Sequence, residues 1–427
     1  RFTDAHSPSG VCTPTRYAFM TGEYAWRKPG TGILPGTAGL IIEPGRLTVA
    51  SLLKRAGYAT GVVGKWHLGL GTTPTDYNIE IKPGPLEVGF DYAWLLPATG
   101  DRTPCVWIEN RRVVNLDPND PIKLDYSVRR GEPRSFVNGI PRIGEQVGGK
   151  AALWKDDEIA DVIAEKGIAF IEKNKSRPFF LYLATHDIHV PRVPHPRFRG
   201  TSQAGVRGDT VHSFDWTVGR VIDALDRVKL ADRTLLIVTS DNGGVLDTNG
   251  PDRVNSGDET TNNGHPYNGM LRGVKGSIYE GGTRVPFIAR WPGHIPPGDS
   301  GALICHVDML ATFAALTGEK LTETAAPDSF NVLPAFLGDN TGRDHLVEHG
   351  HGLALALRRG VWKLVPPDAT GTGKSKKAGK RAPSSPELYN LANDLSETKN
   401  IAAQHPDIVN EMLAKLGEIK SRGRSRP

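Results

Sequence analysis

Apolar residues recur at helical spacing in three segments of the chain, and each segment is followed by a short, almost continuous apolar run. Helices are expected over residues 47–56 and 160–173, and where Val211, Phe214, Val218, Ile222 and Leu225 repeat. The runs over residues 58–64, 179–184 and 235–240 have the length of buried strands, and polar residues follow each one. This repeated order of helix, strand and polar loop predicts an α/β fold with a mostly parallel central sheet, covered by helices on both faces.

The pattern changes towards the end of the chain. Residues 360–365 and 387–391 are expected to form antiparallel strands, and residues 406–420 a terminal helix. We therefore expect a main domain over residues 1–344 and a smaller C-terminal subdomain over residues 345–427. Residues 71–150 are rich in Pro, Gly and charge without a sustained period, and they are interpreted as loops around a substrate pocket.

Several polar side chains are placed where predicted strands end. Lys65 and His67 follow the first strand, His189 follows the second, and Asp241 and Asn242 follow the third. In an extended backbone Lys65 and His67 would point to the same side. Since ligands of α/β sheets bind outside the carboxyl ends of the strands, we expect these side chains to converge on one crevice. The plainer interpretations are solvated lysines, structural histidines and an Asp-Asn-Gly-Gly turn.

The segment around Cys12 is predicted to be a loop that runs into a short helix ending at Gly22, with Pro14 at the first helical position. Cys12 would then lie at a helix N-terminus, which favours an anion or a thiolate. Arg16 would lie one turn further on the same face. The pair is typical of a nucleophile beside a fixed cation, although a cysteine at such a place is often only a small buried residue.

Composition narrows the function classes. The chain has 427 residues, 38% of them hydrophobic, and a net charge of +5. It contains no apolar run long enough for a transmembrane helix. The basic run at Lys374, Lys376, Lys377, Lys380 and Arg381 lies among Gly, Ser and Pro, and we expect a solvated loop rather than a nucleic-acid interface. The remaining positive charge favours an anionic substrate.

The chain has three cysteines, too few for a disulfide framework. Cys105 and Cys305 would be able to pair in an exported protein, and the sequence leaves this open. His349 and His351 have no third ligand spaced near them, so they are not interpreted as a metal site. His186, three residues before His189, is expected at the rim of the pocket.

Taken in order, the motifs resemble those of the sulfatase family. They are Cys-x-Pro-x-Arg from Cys12, Gly-Lys-x-His-x-Gly around Lys65, His-x-Pro at His189, Ser-Asp-Asn-Gly around Asp241, and Lys275-Gly before Glu-Gly-Gly-Thr-Arg-Val-Pro. Leu-Tyr-Asn-Leu at residues 388–391 and Glu-Thr-Lys-Asn at residues 397–400 also match. The resemblance covers essentially the whole chain. It implies an alkaline-phosphatase-like α/β/α sandwich and hydrolysis of sulfate esters. Thr15 stands where the family more often has Ser.

The resemblance also implies roles for individual residues. Cys12 would be oxidised by the formylglycine-generating enzyme to formylglycine, whose hydrate attacks sulfur and is steadied by Arg16. The resemblance places Lys65 and Lys275 on the sulfate, and makes His67 the residue that assists sulfate expulsion. His189 would lie near the leaving oxygen. It assigns Asp241 and Asn242 to a Ca²⁺ ion, a cation that prefers oxygen ligands. The substrate would be a sulfated carbohydrate or an aryl sulfate.

Two expectations concern the start of the chain. Sulfatases carry two adjacent aspartates after an earlier strand as further metal ligands, and Asp4 does not match them. We therefore expect a sequence truncated before Arg1, and the family implies an exported protein. The alternatives are a phosphoester or phosphonate hydrolase of the same superfamily, or an inactive relative that binds sulfated glycans.

Overall fold

The computed structural model describes residues 1–245, 262–352, 354–367 and 385–427. Its helices are α1 Cys12–Thr21, α2 Val49–Arg55, α3 Ile159–Asn174, α4 Gly205–Arg227, α5 Glu280–Thr283, α6 Met309–Thr317, α7 Leu333–Phe336 and α8 Pro406–Ser421. Its strands up to residue 150 are β1 Ala5–His6, β2 Ala59–Lys65, β3 Tyr92–Leu96, β4 Ile108–Glu109, β5 Arg112–Val113, β6 Lys123–Asp125, β7 Phe136–Val137, β8 Ile140–Pro141 and β9 Glu145–Val147. The later strands are β10 Phe179–Ala184, β11 Leu236–Thr239, β12 Phe287–Arg290, β13 Ile304–Cys305, β14 His345–His349, β15 Leu355–Arg359, β16 Trp362–Val365 and β17 Glu387–Asn390.

The largest sheet of the described residues has five strands in the order β10-β2-β3-β4-β5. Strand β2 pairs in parallel with β10 on one side and with β3 on the other. The expected helices at residues 47–56, 160–173 and around 211–225 form as α2, α3 and α4. Val221 and Leu225 of α4 pack with Ile171 of α3 against β10, whereas α2 and α6 pack together against Phe180 in a separate core. The α/β fold with a parallel-containing sheet is confirmed.

Two expectations about the sheet were wrong. Strand β11 pairs antiparallel with β12 in a separate two-stranded sheet, with Leu236 opposite Arg290, so it is not a third parallel strand of the five-stranded sheet. The segment 71–150 is not only loops, because β3 adds a parallel strand to β2. Residues 93–96 of this strand are buried, and that burial stabilises β3 inside an otherwise irregular segment.

The end of the chain forms a four-stranded antiparallel sheet in the order β14-β15-β16-β17. Strands β16 and β17 and helix α8 occur where the sequence predicts them, while β14 and β15 were not predicted. Their side chains share one hydrophobic core with Ala18 and Tyr24 of the α1 region and with β13. The C-terminal sheet therefore supports the back of the helix that begins at Cys12.

The other global expectations have mixed outcomes. All three cysteines of the chain are buried free thiols, so Cys105 and Cys305 do not pair. Cys105 packs among Trp94, Trp107 and Trp154, whereas Cys305 belongs to the core under the C-terminal sheet. Within the described residues, no helix has both the length and the apolar character needed to cross a bilayer. The basic run at residues 374–381 lies outside the described residues.

Candidate active site

Helix α1 begins at Cys12 itself, so Pro14 is the third helical residue rather than the first. A proline is still tolerated there, because the first four N–H groups of a helix have no partner within the helix. Gly22 ends the helix in the left-handed conformation, with φ 66°, and its N–H donates to the Ala18 carbonyl. Cys12 is only 1% exposed, and Lys65, His67 and Lys275 from other parts of the chain lie close enough to act on its thiol.

His67 is the side chain in direct contact with Cys12. Its Nδ1 lies 3.2 Å from the Cys12 sulfur, and its Nε2 lies 3.0 Å from the Leu34 carbonyl. Because a carbonyl only accepts, the proton is assigned to Nε2, which leaves Nδ1 to face the sulfur. His67 has φ 57°, so the backbone is not extended there, and the geometric premise that paired it with Lys65 was wrong. Both side chains nevertheless reach the same site.

Arg16 is the cation of helix α1 at this site, and it contacts Asp241 directly. Its Nη2 is 2.8 Å from Asp241 Oδ2, and its Nε donates to the same oxygen at 2.9 Å. Its Nη1 donates to the Lys65 carbonyl at 2.7 Å and to the Tyr182 hydroxyl at 3.3 Å. Arg16 thus ties α1 to the ends of β2, β10 and β11. Its role towards the nucleophile stays a prediction.

Lys65 and Lys275 supply further positive charge. Lys65 is 3% exposed, and its Nζ lies 3.6 Å from Asp241 Oδ2. The backbone N–H of Lys275 donates a hydrogen bond to the Gly244 carbonyl, and the Lys275 Nζ lies 3.1 Å from His189 Nε2. Burial disfavours the ammonium form and lowers the pKa of Lys65, although Asp241 and Cys12 oppose this.

His189 lies at the end of β10, as expected. Its Nδ1 is 2.7 Å from the Val190 carbonyl, so Nδ1 carries the proton and Nε2 accepts a hydrogen bond from the Lys275 ammonium. Burial, Lys275 and Lys65 together hold the pKa of His189 well below its ordinary value. His186 was expected at the rim, which was wrong, because it is 6% exposed and its Nε2 accepts a hydrogen bond from the Gly100 N–H.

The field of these groups favours an anion at position 12. Burial alone would raise the pKa of the Cys12 thiol, but the charges of Lys65, of a His67 that has taken up the thiol proton at Nδ1, and of Lys275 lower the pKa well below the ordinary value. Cys105 shows the opposite behaviour, because burial raises its pKa to about 12. Two thiols of the same chain are therefore shifted in opposite directions, and only Cys12 has a surrounding suited to a nucleophile or a bound anion.

The proposed metal ligands meet one test of fit. Asn242 Oδ1 is a buried acceptor without a hydrogen-bond partner, which suits a carbonyl oxygen that binds a hard cation. Burial would raise the pKa of Asp241, but Lys65, Arg16 and Lys275 hold it well below its usual range, so it is a carboxylate. One of its oxygens already accepts from Arg16. The pair fits a cation as part of a larger ligand set.

A second cluster of metal-capable side chains does not fit a metal. His6, Glu280 and Glu348 lie close enough together to share an ion. The Lys363 ammonium, however, is 2.8 Å from Glu280 and 2.9 Å from Glu348, and it has no exposed surface. This ammonium already supplies the positive charge that a metal would bring. The cluster is therefore a buried ion-pair network that holds the fold together.

His349 and His351 differ in their surroundings. His349 is buried and its Nε2 donates to the Gly352 carbonyl at 2.6 Å, whereas His351 is exposed. Three polar residues near Cys12 were missed by the sequence analysis: Tyr182 on β10, and Asp101 and Arg102 after β3. The aromatic and aliphatic run at residues 92–96, bounded by Gly89 and Pro97, is a strand signal. Recognising it would have placed Asp101 and Arg102 after the end of a strand.

Comparison with known proteins decides the family. The Sulfatase family model matches residues 1–319, which is most of the chain. The chain belongs to the sulfatase family. It is therefore a sulfuric ester hydrolase, as the resemblance of its motifs implied.

Individual sulfatases agree with this assignment. The N-acetylgalactosamine-6-O-sulfatase of Bacteroides thetaiotaomicron is 46% identical over 444 residues, a match that covers 99% of this chain and 86% of that protein. Human arylsulfatase A is 33% identical over 344 residues, covering 79% of this chain and 61% of that protein. Both a bacterial and a human sulfatase are therefore similar to this chain.

Solved structures define the fold of this sulfatase. A Bacteroides thetaiotaomicron structure, determined in work on the metabolism of multiple glycosaminoglycans, superimposes with a TM-score of 0.92 at 45% identity and covers 98% of this chain and 91% of that one. A phosphonate monoester hydrolase from Silicibacter pomeroyi superimposes with a TM-score of 0.56 at 16% identity, covering 100% and 88% of the two chains, and shows the fold alone. The fold is the alkaline-phosphatase-like α/β fold of the sulfatases.

Proposed function

We propose that this sulfatase removes the 6-O-sulfate from N-acetylgalactosamine units of a sulfated glycan. The observation that carries the proposal is the positive field around Cys12, produced by Lys65, Lys275 and Arg16 with one adjacent carboxylate, Asp241. A sulfate ester is an anion that such a field binds. The choice of sugar rests on the 46% identity to the Bacteroides thetaiotaomicron N-acetylgalactosamine-6-O-sulfatase.

Cys12 is the proposed site of the nucleophile, after its oxidation to formylglycine by a formylglycine-generating enzyme. When present, formylglycine supplies the oxygen that displaces the alcohol from sulfur. The first turn of α1 orients residue 12, and Arg16, fixed by Asp241 and the Lys65 carbonyl, adds positive charge below it. His67 Nδ1, 3.2 Å from the Cys12 sulfur, is placed to accept a proton from the group at this position.

The proposed roles of the remaining residues follow their positions. Lys65 and Lys275 bind sulfate oxygens and stabilise the negative charge that the oxygens hold during displacement. The leaving alcohol needs a proton, and His189 and Lys275 are assigned to deliver it because their nitrogens lie 3.1 Å apart. A lysine and a histidine in contact exchange protons readily, so a neutral His189 does not prevent this role.

The proposed cation is Ca²⁺, held by Asp241 and Asn242. Ca²⁺ takes about six to eight oxygen ligands, so this pair supplies part of the set. When bound, the cation would withdraw electron density from the sulfate and the nucleophile. We further propose that residues 1–344 form the catalytic unit and residues 345–427 a subdomain, and that the protein is exported, as sulfatases of this kind are.

Release of inorganic sulfate tests the proposal. Protein produced together with the maturation enzyme is incubated with N-acetylgalactosamine 6-sulfate, and sulfate and desulfated sugar are both quantified. Equal amounts of the two products, over many turnovers, are expected. Mass spectrometry of the peptide that contains residue 12 should show formylglycine in the active fraction. Full turnover by protein with an unmodified Cys12 would contradict the proposed nucleophile, and tight glycan binding without sulfate release would contradict hydrolysis.

A further inference from the structure

The turn Thr99–Arg102 follows β3 and lies beside the candidate active site. The backbone places it there, because Lys65 pairs with Leu96 in the parallel β2–β3 ladder and the His67 N–H donates to the Pro97 carbonyl at 3.0 Å. On its other side, the Gly100 N–H donates to His186 Nε2 at 3.0 Å. The rings of His186 and His189 are 5.8 Å apart. The turn therefore lies between His67, which contacts Cys12, and His189, which is assigned to the leaving oxygen.

The turn is held rigidly from both ends. The Arg102 N–H donates to the Thr99 carbonyl at 3.0 Å, and the Asp101 carbonyl accepts from the Ile143 N–H at 2.7 Å. The Gly100 carbonyl accepts from the buried guanidinium of Arg142, which also pairs with Asp156 at 2.6 Å. A Cβ added at Gly100 would lie 2.5 Å from His186 Nε2, so no larger residue fits there without movement. His186 and Arg142 are thus positioning residues for the turn.

Asp101 and Arg102 are fixed side by side on this turn. Arg102 Nη1 is 2.8 Å from Asp101 Oδ1 and 2.6 Å from the Thr99 hydroxyl, which also donates to Oδ1. Within the described part of the chain, these bonds all use one oxygen of Asp101 and one nitrogen of Arg102. Asp101 Oδ2 and the remaining guanidinium N–H groups are left for a ligand. The pair presents an acceptor and a set of donors side by side.

The electrostatics agree that this pair lies close to the site. Burial would raise the pKa of Asp101, but Arg102 and the Thr99 hydroxyl hold it at about 2, so the carboxylate is ionised at neutral pH. The field of Arg102 contributes to the lowered pKa of His67, and a thiolate at Cys12 raises the pKa of Arg102. Because the opposite charges of Asp101 and Arg102 nearly cancel, the pair adds little to the binding of an anion. Its chemistry suits neutral hydroxyl groups.

We propose that Asp101 and Arg102 together bind the ring hydroxyl groups of the sugar that carries the scissile sulfate, and so determine that the substrate is a sulfated carbohydrate. A sugar hydroxyl both donates and accepts, so it is able to donate to Asp101 Oδ2 while it, or its neighbour, accepts from the Arg102 guanidinium. An aryl sulfate offers no such hydroxyl groups at this position. This inference rests on the proposed function and specifies which part of the site selects the sugar.

The test compares two substrates in three variants. Asp101→Asn keeps the shape but loses the charged acceptor, and Arg102→Lys keeps the charge but loses the planar fork. Arg134→Gln, an exposed arginine of the same irregular segment, is the control. The kcat/KM of each is measured with N-acetylgalactosamine 6-sulfate and with a small aryl sulfate that lacks a sugar ring. Loss of one hydrogen bond to a charged group predicts a fall of about 10- to 100-fold for the sugar sulfate. The aryl sulfate should change by less than about threefold, because it makes no contact with the pair.

Each outcome has a distinct meaning. A selective loss on the sugar sulfate, with the control unchanged, supports the inference. Equal losses on both substrates would show that the pair serves the sulfate or the fold rather than the sugar, and unchanged rates on both would show that it binds neither. Both results overturn the inference while the wild-type rates still support the proposed function. A wild-type protein that turns over neither substrate contradicts the proposed function, and the inference with it.

Discussion

Two buried clusters of charged residues lie near the two ends of the segment 6–12, and they differ in how their charges are matched. In the structural cluster every acidic side chain has a cationic partner: the acids are Asp4, Glu280, Glu348 and Glu397, and the cations are His6, Arg284, Arg358 and Lys363. In the site cluster, within the described residues, the cations outnumber the acids: they are Arg16, Lys65, Arg102 and Lys275 beside Asp101 and Asp241.

This difference separates groups that hold the fold from groups that await a ligand. A matched buried cluster satisfies its own charges, so no further ion is needed. The site cluster keeps positive charge that only an additional anion would neutralise, and the lowered pKa of Cys12 shows which position that charge favours. Substitutions in the structural cluster should therefore reduce stability, whereas substitutions in the site cluster should reduce activity.

The largest effect is expected for Cys12→Ala. Loss of the nucleophile should lower kcat by about 10⁴-fold or more, because the remaining groups bind sulfate without a group to attack it. Steady-state sulfate release measures this, and thermal unfolding should show a folded protein. Cys105→Ala is the matched control, since Cys105 is buried among tryptophans away from the site, and it should keep kcat. A Cys12→Ala protein with substantial turnover would place the nucleophile elsewhere.

Lys363→Met should cause the largest loss of stability. It removes the cation that the buried acids Glu280, Glu348 and Glu397 share. Breaking a buried pair of this kind costs about 3–5 kcal/mol of unfolding free energy. Chemical denaturation measures the change. Lys415→Met, which removes an exposed pair with Glu418, is the control and should cost less than about 1 kcal/mol. Similar losses in the two variants would show that the structural cluster contributes no more than a surface pair.

Lys65→Met should have the opposite effect, a large loss of activity with little loss of stability. Its ammonium is desolvated, and burial lowers its pKa, so its removal should change the unfolding free energy by no more than about 1 kcal/mol. The loss of a charge that stabilises the displaced sulfate should lower kcat/KM by about 10²- to 10³-fold. Kinetics and denaturation on the same preparation measure both. A large loss of stability with unchanged kinetics would place Lys65 with the structural cluster.

The smallest effect concerns the pH dependence of stability. Burial raises the pKa of Glu397 from 4.5 to about 7, so between these values the folded state holds a proton that the unfolded state has released. The unfolding free energy should therefore decrease as pH rises through this window, by on the order of 1–3 kcal/mol. Glu397→Gln, which cannot titrate, should remove most of this slope. If the unfolding free energies of the variant and the wild type change with pH in the same way, the pH dependence comes from other groups.

Local signals in the sequence were sufficient for part of the fold, whereas helices α5, α6 and α7 and the short strands between residues 108 and 147 were not predicted. Helices α2, α3, α4 and α8 and strands β2 and β10 follow from apolar spacing, and the positions of Lys65 and His189 after β2 and β10 follow from the strand-end rule. The antiparallel pairing of β11 did not follow, because the same apolar run fits either direction of pairing. The contact between Arg16 and Asp241 also could not be predicted, because it joins residues far apart in the chain.

The most direct test of the central claim compares matched sulfate and phosphate monoesters of the same sugar. The claim is that the site cluster is built for sulfate and turns it over at residue 12. With N-acetylgalactosamine 6-sulfate and 6-phosphate as substrates, we expect a kcat/KM for the sulfate at least about 10²-fold above that for the phosphate, equivalent to about 2.7 kcal/mol in transition-state binding. A phosphate ester that is hydrolysed as fast or faster would contradict the account.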